Sequence, residues 1–185
     1  MAHAAEGLYA RDQNPVTSLM AEEGIRAMAQ ALRGIVRDPI DVAARSKALY
    51  ASWLCGTVLG TVGMALHHKL CHALGGSFGL PHAQTHTIIL PHALAYNTNA
   101  APQAMKRIAL AINADDAGCG MYDFAKEVGA PMSLREIGMH QDDLDRAADI
   151  VCANPYWNPQ PIDRGRIRSL LQDAFDGVKP RTWKI

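Results

Sequence analysis

The amino-acid sequence predicts an all-α fold, and three observations support this prediction. Apolar residues recur at a spacing of about 3.6 positions along most of the chain, and no alternating pattern long enough for a strand occurs. Prolines and small polar residues stand where helices would begin, and glycines stand where they would end. The chain has 185 residues, of which 49% are apolar and 19% charged, so it is long enough for one domain with a sizeable core.

The first two helices follow from the pattern near the start of the chain. Residues 1–9 are helical in pattern from the first position, with no cap before them, so we expect the chain to begin partway through a helix. Asn14 and Pro15 then predict the N-cap and first turn of a second helix. Its apolar residues follow at helical spacing and are Met20, Ile25, Met28, Leu32 and Val36.

A long third helix is predicted after residues 38–39, where Asp-Pro repeats the same start signal. It runs from about Ile40 to His72 or beyond, until the glycines of residues 75–79 end it. Its apolar run, residues 51–66, is interrupted by glycines and is too short to span a bilayer. We therefore expect a buried core helix here and no contact with a membrane.

Pro81 is expected to start the next helix, which carries His82 and His86, and Pro91 is expected to end or kink it. Four later helices are predicted from their periodicity: Pro102 to Ile112, Met121 to Val128, Gln141 to Ala153 and Pro161 to Phe175.

Charge and cysteine content exclude several classes of protein. Eighteen basic and eighteen acidic residues balance, without a long run of either sign, so nucleic-acid binding has no electrostatic support. The four cysteines are scattered, and no secretory signal precedes them. We therefore expect reduced thiols and a cytoplasmic protein.

The histidines between residues 67 and 86 are the main functional signal. His68 and His72 are four residues apart, as are His82 and His86, so each pair lies on one face of a helix. The glycine-rich link allows His82 to return within reach of His68, and we expect His68, His72 and His82 to form a functional site. Three histidines without an acidic residue between them are more typical of an open catalytic metal site than of a closed structural one.

The other histidines of this region receive weaker assignments. A single histidine on an apolar helix is more often a packing residue than a ligand. His67 is expected to point away from the other histidines, as an exposed or packing residue. His86 is left open between a functional and a packing role.

The residues from His67 to Asn97 (HHKLCHALGGSFGLPHAQTHTIILPHALAYN) closely resemble the iron-containing alcohol dehydrogenases and, within them, the maleylacetate reductase branch. The opening residues 3–10 (HAAEGLYA) and residues 154–159 (NPYWNP) are similar to the same branch. The resemblance extends over essentially the whole chain.

The resemblance implies a two-domain enzyme, with an N-terminal α/β domain that binds the nicotinamide nucleotide and a C-terminal helical domain of the dehydroquinate synthase-like type. This chain, residues 1–185, matches only the helical domain, and it has no glycine-rich phosphate loop after a strand. We therefore expect the nucleotide-binding domain to be absent from the chain and the chain alone to be inactive.

Site residues also follow from the resemblance. It implies that His3, His68 and His82 are ligand positions for Fe²⁺ or Zn²⁺. It further implies a fourth ligand, an acid four residues before His3, at a position before Met1. His72 matches the histidine that lies beside substrate and nicotinamide and assists proton transfer.

The activity implied is the reduction of a small dicarboxylate, maleylacetate, to 3-oxoadipate by NADH or NADPH, in a homodimeric full-length enzyme. Tyr156 is a further candidate proton donor, with a role as a core phenol as the alternative. Lys69, Arg107 or Arg135 could bind the substrate carboxylates.

Two other functions stay open: a metal-dependent (Fe or Zn) alcohol dehydrogenase, and a non-catalytic helical module that binds a metal or a partner.

Overall fold

The computed structural model describes residues 1–181 and 183, and this part of the chain consists of helices and loops. The all-α prediction is confirmed. The helices are α1 (Ala2–Gly7), α2 (Pro15–Arg37), α3 (Val42–Leu59), α4 (Leu66–Phe78), α5 (His82–Asn97), α6 (Pro102–Ile112), α7 (Ala117–Glu127), α8 (Leu144–Ala153) and α9 (Arg164–Asp176), with a 3-10 turn at Gln141–Asp143 before α8.

Two groups of buried apolar side chains form the core, and α5 belongs to both. One face of α5, with Leu90 and Leu94, packs with α1, α2, α3, α6 and α7. The other face, with Ile89 and Tyr96, packs with α4, α8 and α9. Residues 88–97 of α5 are all buried, so this part of the helix is enclosed on both sides. The histidines of α4 and α5 therefore lie at the junction of the two groups.

The short helix α1 is buried against the longer helices α2 and α3. Gly7 allows this, because a Cβ at that position would lie 2.3 Å from the Cγ1 of Val58 on α3. This close approach brings His3 and Glu6 of α1 against the beginning of α4. The predicted helix at residues 1–9 is confirmed, with a shorter extent.

The predicted long helix from Ile40 to His72 is wrong, because the chain leaves the helical path at residues 60–65 and forms the separate helices α3 and α4. Side chains from elsewhere supply partners for the backbone amides of the break. The carboxylate of Asp12 accepts from the amide of Gly63 at 3.0 Å, and that of Glu6 accepts from the amide of Ala65 at 2.8 Å. These long-range partners stabilise a helix end that local sequence does not encode.

Helix α4 ends at the last of the glycines that were predicted to end it. Gly75 and Gly76 lie inside the helix, and only Gly79 ends it, with a φ of 67° in the left-handed region.

Helix α3 is buried on only one face, so the expectation of a buried core helix holds in part. Ala51 and Leu54 are buried, whereas Leu49 and Trp53 are 74% and 63% exposed. None of the helices that the structure describes is long and apolar enough to cross a bilayer.

Helix α5 continues through Pro91 to Asn97, so of the two expected outcomes, an end or a kink, the end is wrong. Close packing explains the tolerance, since a Cβ on Gly118 of α7 would lie 3.1 Å from the carbonyl oxygen of Pro91. A buried helix held on both faces can absorb one missing hydrogen bond.

The later boundaries agree closely with the pattern. The α6 prediction, Pro102–Ile112, is confirmed at both ends, and Asn14 caps α2 through its side chain as expected. Helix α7 begins at Ala117 rather than Met121, and α9 begins at Arg164 rather than Pro161.

Candidate active site

Glu6 is the central buried charge of the site. Its carboxylate is fully buried and accepts from the amides of Ala65 and His67, at 2.8 and 2.7 Å. These amides belong to the N-terminus of α4, which has no capping side chain of its own. A negative charge at this end of a helix is favourable both as a hydrogen-bond acceptor and through the helix dipole.

The same carboxylate orients His68. Oε2 of Glu6 lies 2.6 Å from Nδ1 of His68, and His68 is 3% exposed. Because an ionised carboxylate only accepts hydrogen bonds, Nδ1 carries the hydrogen, and in the neutral imidazole the lone pair is then on Nε2. Nε2 of His68 is buried and has no hydrogen-bond partner among the described residues. A histidine whose other nitrogen is held by a carboxylate is the arrangement that metal-binding histidines adopt, so His68 fits a divalent metal ion.

The rings of His3 and His86 lie against that of His68, and His82 contacts His86. The ring of His3 stacks on that of His68, with centroids 5.0 Å apart and planes inclined by 23°. The ring of His86 lies 5.1 Å from that of His68 and 4.3 Å from that of His82. His82 was expected to approach His68, and the described contact brings it against His86 instead. The exposed His82 reaches the cluster through its neighbour one helical turn away.

Burial keeps the inner imidazoles neutral. Desolvation, aided by the positive charge that His68 carries when protonated, lowers the pKa of His3 to about 4 and that of His86 to about 3. The same causes lower the pKa of the fully buried His67 well below its usual value. Neutral imidazoles are the form that a divalent metal requires.

His67 corrects the sequence interpretation, because it is fully buried and belongs to the cluster. Nε2 of His67 lies 3.0 Å from Nδ1 of His86 and 3.6 Å from Sγ of Cys71. Together His67, Cys71 and His86 offer ligand atoms within 4.8 Å of one another. His67 therefore contacts His86, the histidine whose role the sequence left open.

One helical turn after His68 on α4, His72 lies at an exposed position beside Tyr156. Nδ1 of His72 is 3.1 Å from the hydroxyl of Tyr156. Partial burial and the neighbouring His68 and His82 lower the pKa of His72. Tyr156 is exposed, so the alternative of a core phenol is wrong.

A pair of hydrogen-bonded side-chain amides, Asn97 and Asn158, holds the loop that carries Tyr156. Asn158 donates to the side-chain oxygen of Asn97 at 2.7 Å and accepts from its nitrogen at 3.0 Å. Asn97, at the end of α5, is fully buried. Two mutual hydrogen bonds between the buried Asn97 and the half-buried Asn158 hold the loop against the helix.

The three basic candidates for carboxylate binding now differ. Arg107 is bound to Glu22 at 2.8 Å, and Arg135 is bound to Asp176 at 2.7 Å. Nζ of Lys69 lies instead 5.6 Å from the centre of the Tyr156 ring. Lys69 precedes His72 by three residues on α4. Of the three, only Lys69 lies beside the exposed histidine.

A cavity of about 510 Å³ opens beside the buried imidazoles. His3, His82 and His86 line one side of it, and apolar side chains, including Leu32 and Phe124, line the rest. Such walls suit a flat, weakly polar group more than a dicarboxylate.

Sequence reasoning missed Glu6 and misplaced His67. A glutamate in a short apolar helix next to His3 was the available signal for Glu6, because a buried acid needs a partner. The burial of His67 could not be predicted from the sequence. It depends on where α4 begins, because the break before α4 determines which of its residues face inward.

Comparison with known proteins shows the family and the fold of the chain. Residues 1–175 match the Fe-containing alcohol dehydrogenase family, C-terminal. A maleylacetate reductase of Burkholderia cepacia is 57% identical over 97% of the chain, and the match covers 51% of that protein.

Two solved structures have the same fold over nearly the whole chain. Maleylacetate reductase from Agrobacterium tumefaciens is 56% identical with a TM-score of 0.94, covering 97% of the chain and 51% of that protein. An iron-containing alcohol dehydrogenase from Corynebacterium glutamicum is 38% identical with a TM-score of 0.89, covering 95% and 50% respectively. The chain thus spans about half the length of the relatives it matches.

Proposed function

Because the chain belongs to the iron-containing alcohol dehydrogenase family, as its C-terminal domain, we propose that it forms the substrate-binding and metal-binding half of an NADH- or NADPH-dependent maleylacetate reductase. The nucleotide would be bound by an α/β domain like the one that the family resemblance implies. Close relatives named maleylacetate reductase support the substrate. The observation that carries the proposal is the group of His72, Tyr156 and Lys69 one helical turn from His68.

The proposed reaction adds a hydride and a proton across the carbon–carbon double bond of maleylacetate, giving 3-oxoadipate. When bound, the nicotinamide supplies the hydride, and a divalent ion supplies positive charge beside the oxygen that becomes negative. The residues of this chain orient the dicarboxylate and deliver the proton.

His72 delivers the proton from its protonated form. Nδ1–H donates to the Tyr156 oxygen, 3.1 Å away, so Nε2–H is left to protonate the substrate carbon. The lowered pKa makes the imidazolium a stronger acid. Because His72 is exposed, it regains a proton from solvent after each turnover.

Lys69 binds a carboxylate of the substrate. Its ammonium group lies near the Tyr156 ring, and Arg107 and Arg135 are held by acidic partners elsewhere. Pairing a carboxylate with a lysine in a partly enclosed site gives both affinity and orientation.

The metal would be held by His3, His68 and His82, the positions that the family resemblance implies. The unpartnered Nε2 of His68 and the carboxylate on its Nδ1 support this assignment. The stacked His3, whose pKa is about 4, supports it further. Fe²⁺ and Zn²⁺ both accept imidazole ligands.

A second candidate function is a metal-dependent alcohol dehydrogenase acting on a small alcohol or aldehyde. The unpartnered Nε2 of His68 and the carboxylate on its Nδ1 favour this function. Alcohol oxidation of this kind would depend on the metal ion more than on a proton donor. The 38% identity to an iron-containing alcohol dehydrogenase also favours it.

Turnover measurements separate the two functions. The chain would be fused behind the nucleotide-binding half of the Burkholderia cepacia enzyme, and oxidation of NADH and NADPH would be followed with maleylacetate and with small aldehydes. We expect reduction of maleylacetate by the fusion and no turnover by the 185-residue chain alone. His72→Ala in the fusion should lower kcat by roughly 100-fold or more, with nearly unchanged affinity for the nucleotide.

The matched control is His140→Ala, an exposed histidine outside the cluster. Faster turnover of aldehydes than of maleylacetate would favour the alcohol dehydrogenase instead. Near-normal kcat in His72→Ala would remove His72 from the mechanism. The homodimer and the cytoplasmic location stay predictions from the sequence.

A further inference from the structure

We propose that His86 is an additional metal ligand that binds through Nε2, and that His67 is the positioning residue that fixes its tautomer. This inference rests on the metal part of the proposed function and extends it by one ligand, which lies outside the set His3, His68 and His82. It also gives a role to the fully buried His67, which neither proton transfer nor substrate binding uses.

The ring positions support a shared ion. Imidazoles that bind one ion through metal–nitrogen bonds of about 2 Å have ring centroids roughly 4 to 6 Å apart when they are neighbours in the coordination sphere. The His86 ring lies 5.1 Å from that of His68 and 4.3 Å from that of His82. The His3 ring lies 5.0 Å from that of His68 and 6.5 Å from that of His86. His86 is therefore within this range of both His68 and His82, and His3 is within it of His68.

The free nitrogen of His86 has the environment that a ligand needs. Nε2 of His86 is buried and has no hydrogen-bond partner among the described residues, like Nε2 of His68. A buried polar atom without a partner destabilises a protein unless something binds it. Two such nitrogens on neighbouring rings are both satisfied by a single cation.

His67 supplies the second interaction that a metal-binding histidine requires. Nδ1 of His86 lies 3.0 Å from Nε2 of His67. When Nδ1 of His86 carries the hydrogen, it donates to His67, and the lone pair of His86 is placed on Nε2. Glu6 acts on His68 in the same way, through Nδ1. Both inner ligands would thus be oriented by a buried acceptor.

A different arrangement, in which His67, Cys71 and His86 bind the ion, is less favourable. Those three residues offer ligand atoms within 4.8 Å, and the ion would then occupy Nε2 of His67 and Nδ1 of His86. The opposite nitrogens of both rings would carry hydrogens, and both are buried without partners. The arrangement through Nε2 of His86 leaves only one such hydrogen, on His67. It also spares Cys71, which is 1% exposed, from becoming a buried thiolate.

Metal titration of the purified 185-residue chain tests the assignment. Co²⁺ would be added to the wild-type chain and to His86→Gln, and binding followed by visible absorption and calorimetry. We expect at least a 10-fold lower affinity in His86→Gln and in His67→Phe, because loss of an orienting partner alone weakens binding by about 10- to 100-fold. Cys71→Ala and His92→Gln are the controls and should bind as wild type. His92 is a buried histidine on the same helix, with a pKa of about 4.

Nitrogen-15 spectra of the histidine rings in the wild-type chain give a second readout that needs no variant. On addition of Zn²⁺ we expect the Nε2 resonance of His86 to shift, while its Nδ1 stays protonated. A Zn²⁺-dependent shift at Nδ1 of His86, or a thiolate charge-transfer band with Co²⁺ that Cys71→Ala removes, would overturn the inference in favour of the cysteine arrangement.

The outcomes also separate this inference from the metal part of the proposed function. If His68→Ala abolishes Co²⁺ binding while His86→Gln binds as wild type, only the role of His86 is wrong. If the wild-type chain binds neither ion, both proposals fail. Reduced affinity in His86→Gln and His67→Phe with intact Cys71→Ala supports both.

Discussion

The residues around His68 form a buried inner side and an exposed outer side. A different chemistry is proposed for each side, metal binding for the inner one and proton transfer for the outer one. On the inner side, Glu6 contacts His68 and His67 contacts His86. Burial there lowers the pKa of His67 and of His86. On the outer side, His72 and Tyr156 meet at the surface, where protons exchange with solvent. A helical turn of α4 thus separates the proposed cation site from the proposed proton donor, and the burial of each suits the proposed role.

The largest expected effect concerns the inner side, where Glu6→Ala should lower the free energy of unfolding by about 3 to 5 kcal/mol. The substitution leaves two backbone amides and Nδ1 of His68 without their acceptor. Urea unfolding of the 185-residue chain measures the change. Glu127→Ala is the matched control, because its ion pair with Arg33 is exposed and should contribute less than about 1 kcal/mol. Equal losses in the two variants would contradict a structural role for the buried carboxylate.

Acid should destabilise the inner side more than the outer one. The folded-state pKa values of His3 and His86 are about 4 and about 3, below the value of 6.5 expected in the unfolded chain. Between these limits the unfolded chain binds more protons, so stability is complete above pH 6.5 and falls as pH drops toward the folded pKa values. Each group contributes at most about 1.4 kcal/mol per pH unit.

Urea unfolding between pH 7 and pH 4 measures this dependence. His86→Gln should reduce the slope, since it removes one of the titrating groups. His140→Gln, an exposed histidine, is the control and should leave the slope unchanged. A slope that His86→Gln leaves intact would mean that other groups cause the acid sensitivity.

Much of the fold follows from local sequence, and the departures have long-range causes. Asn14 and Pro15 encode the start of α2, and Pro102–Ile112 is helical as predicted. The break before α4 depends on Glu6 and Asp12, which lie more than fifty positions away in sequence. No helical periodicity can report a cap supplied from that distance.

The site follows the same rule. The spacing of His68 and His72 predicted that they belong to one site, because residues four apart share a helix face. It could not show that His67 is buried and contacts His86, since that contact joins α4 to α5. Likewise, choosing Lys69 over Arg107 and Arg135 required their ion-pair partners, which only the folded chain reveals.

On the outer side, Lys69→Met in the fused enzyme should raise KM for maleylacetate by roughly 10-fold, since a partly exposed charge pair contributes about 1 to 2 kcal/mol. We expect kcat to change little, because the lysine would bind the substrate and its transition state alike. Steady-state kinetics with maleylacetate measures both constants. Arg135→Met is the control, as Arg135 is held by Asp176 on another part of the surface. An unchanged KM in Lys69→Met would leave the carboxylate without an assigned partner.

The smallest effect is expected for Tyr156→Phe, which removes one hydrogen bond to His72 and should lower kcat at pH 7 by about 10-fold at most. The phenol oxygen accepts from Nδ1 of the protonated imidazole, 3.1 Å away, and so stabilises the charged form. Its loss should lower the pKa of His72 further. The falling limb of the pH–rate profile would then move to lower pH, and less of His72 would be protonated near neutrality.

Stability and the pH profile together distinguish this role from a merely structural one. The Tyr156 loop is held by Asn158 and Asn97 rather than by the phenol hydroxyl. Tyr156→Phe should therefore unfold within about 0.5 kcal/mol of the wild type. A lower kcat with an unshifted pH profile would mean that Tyr156 does not act through His72. A displaced profile at unchanged stability would confirm that the outer side is tuned by a single hydrogen bond, whereas the inner side depends on several.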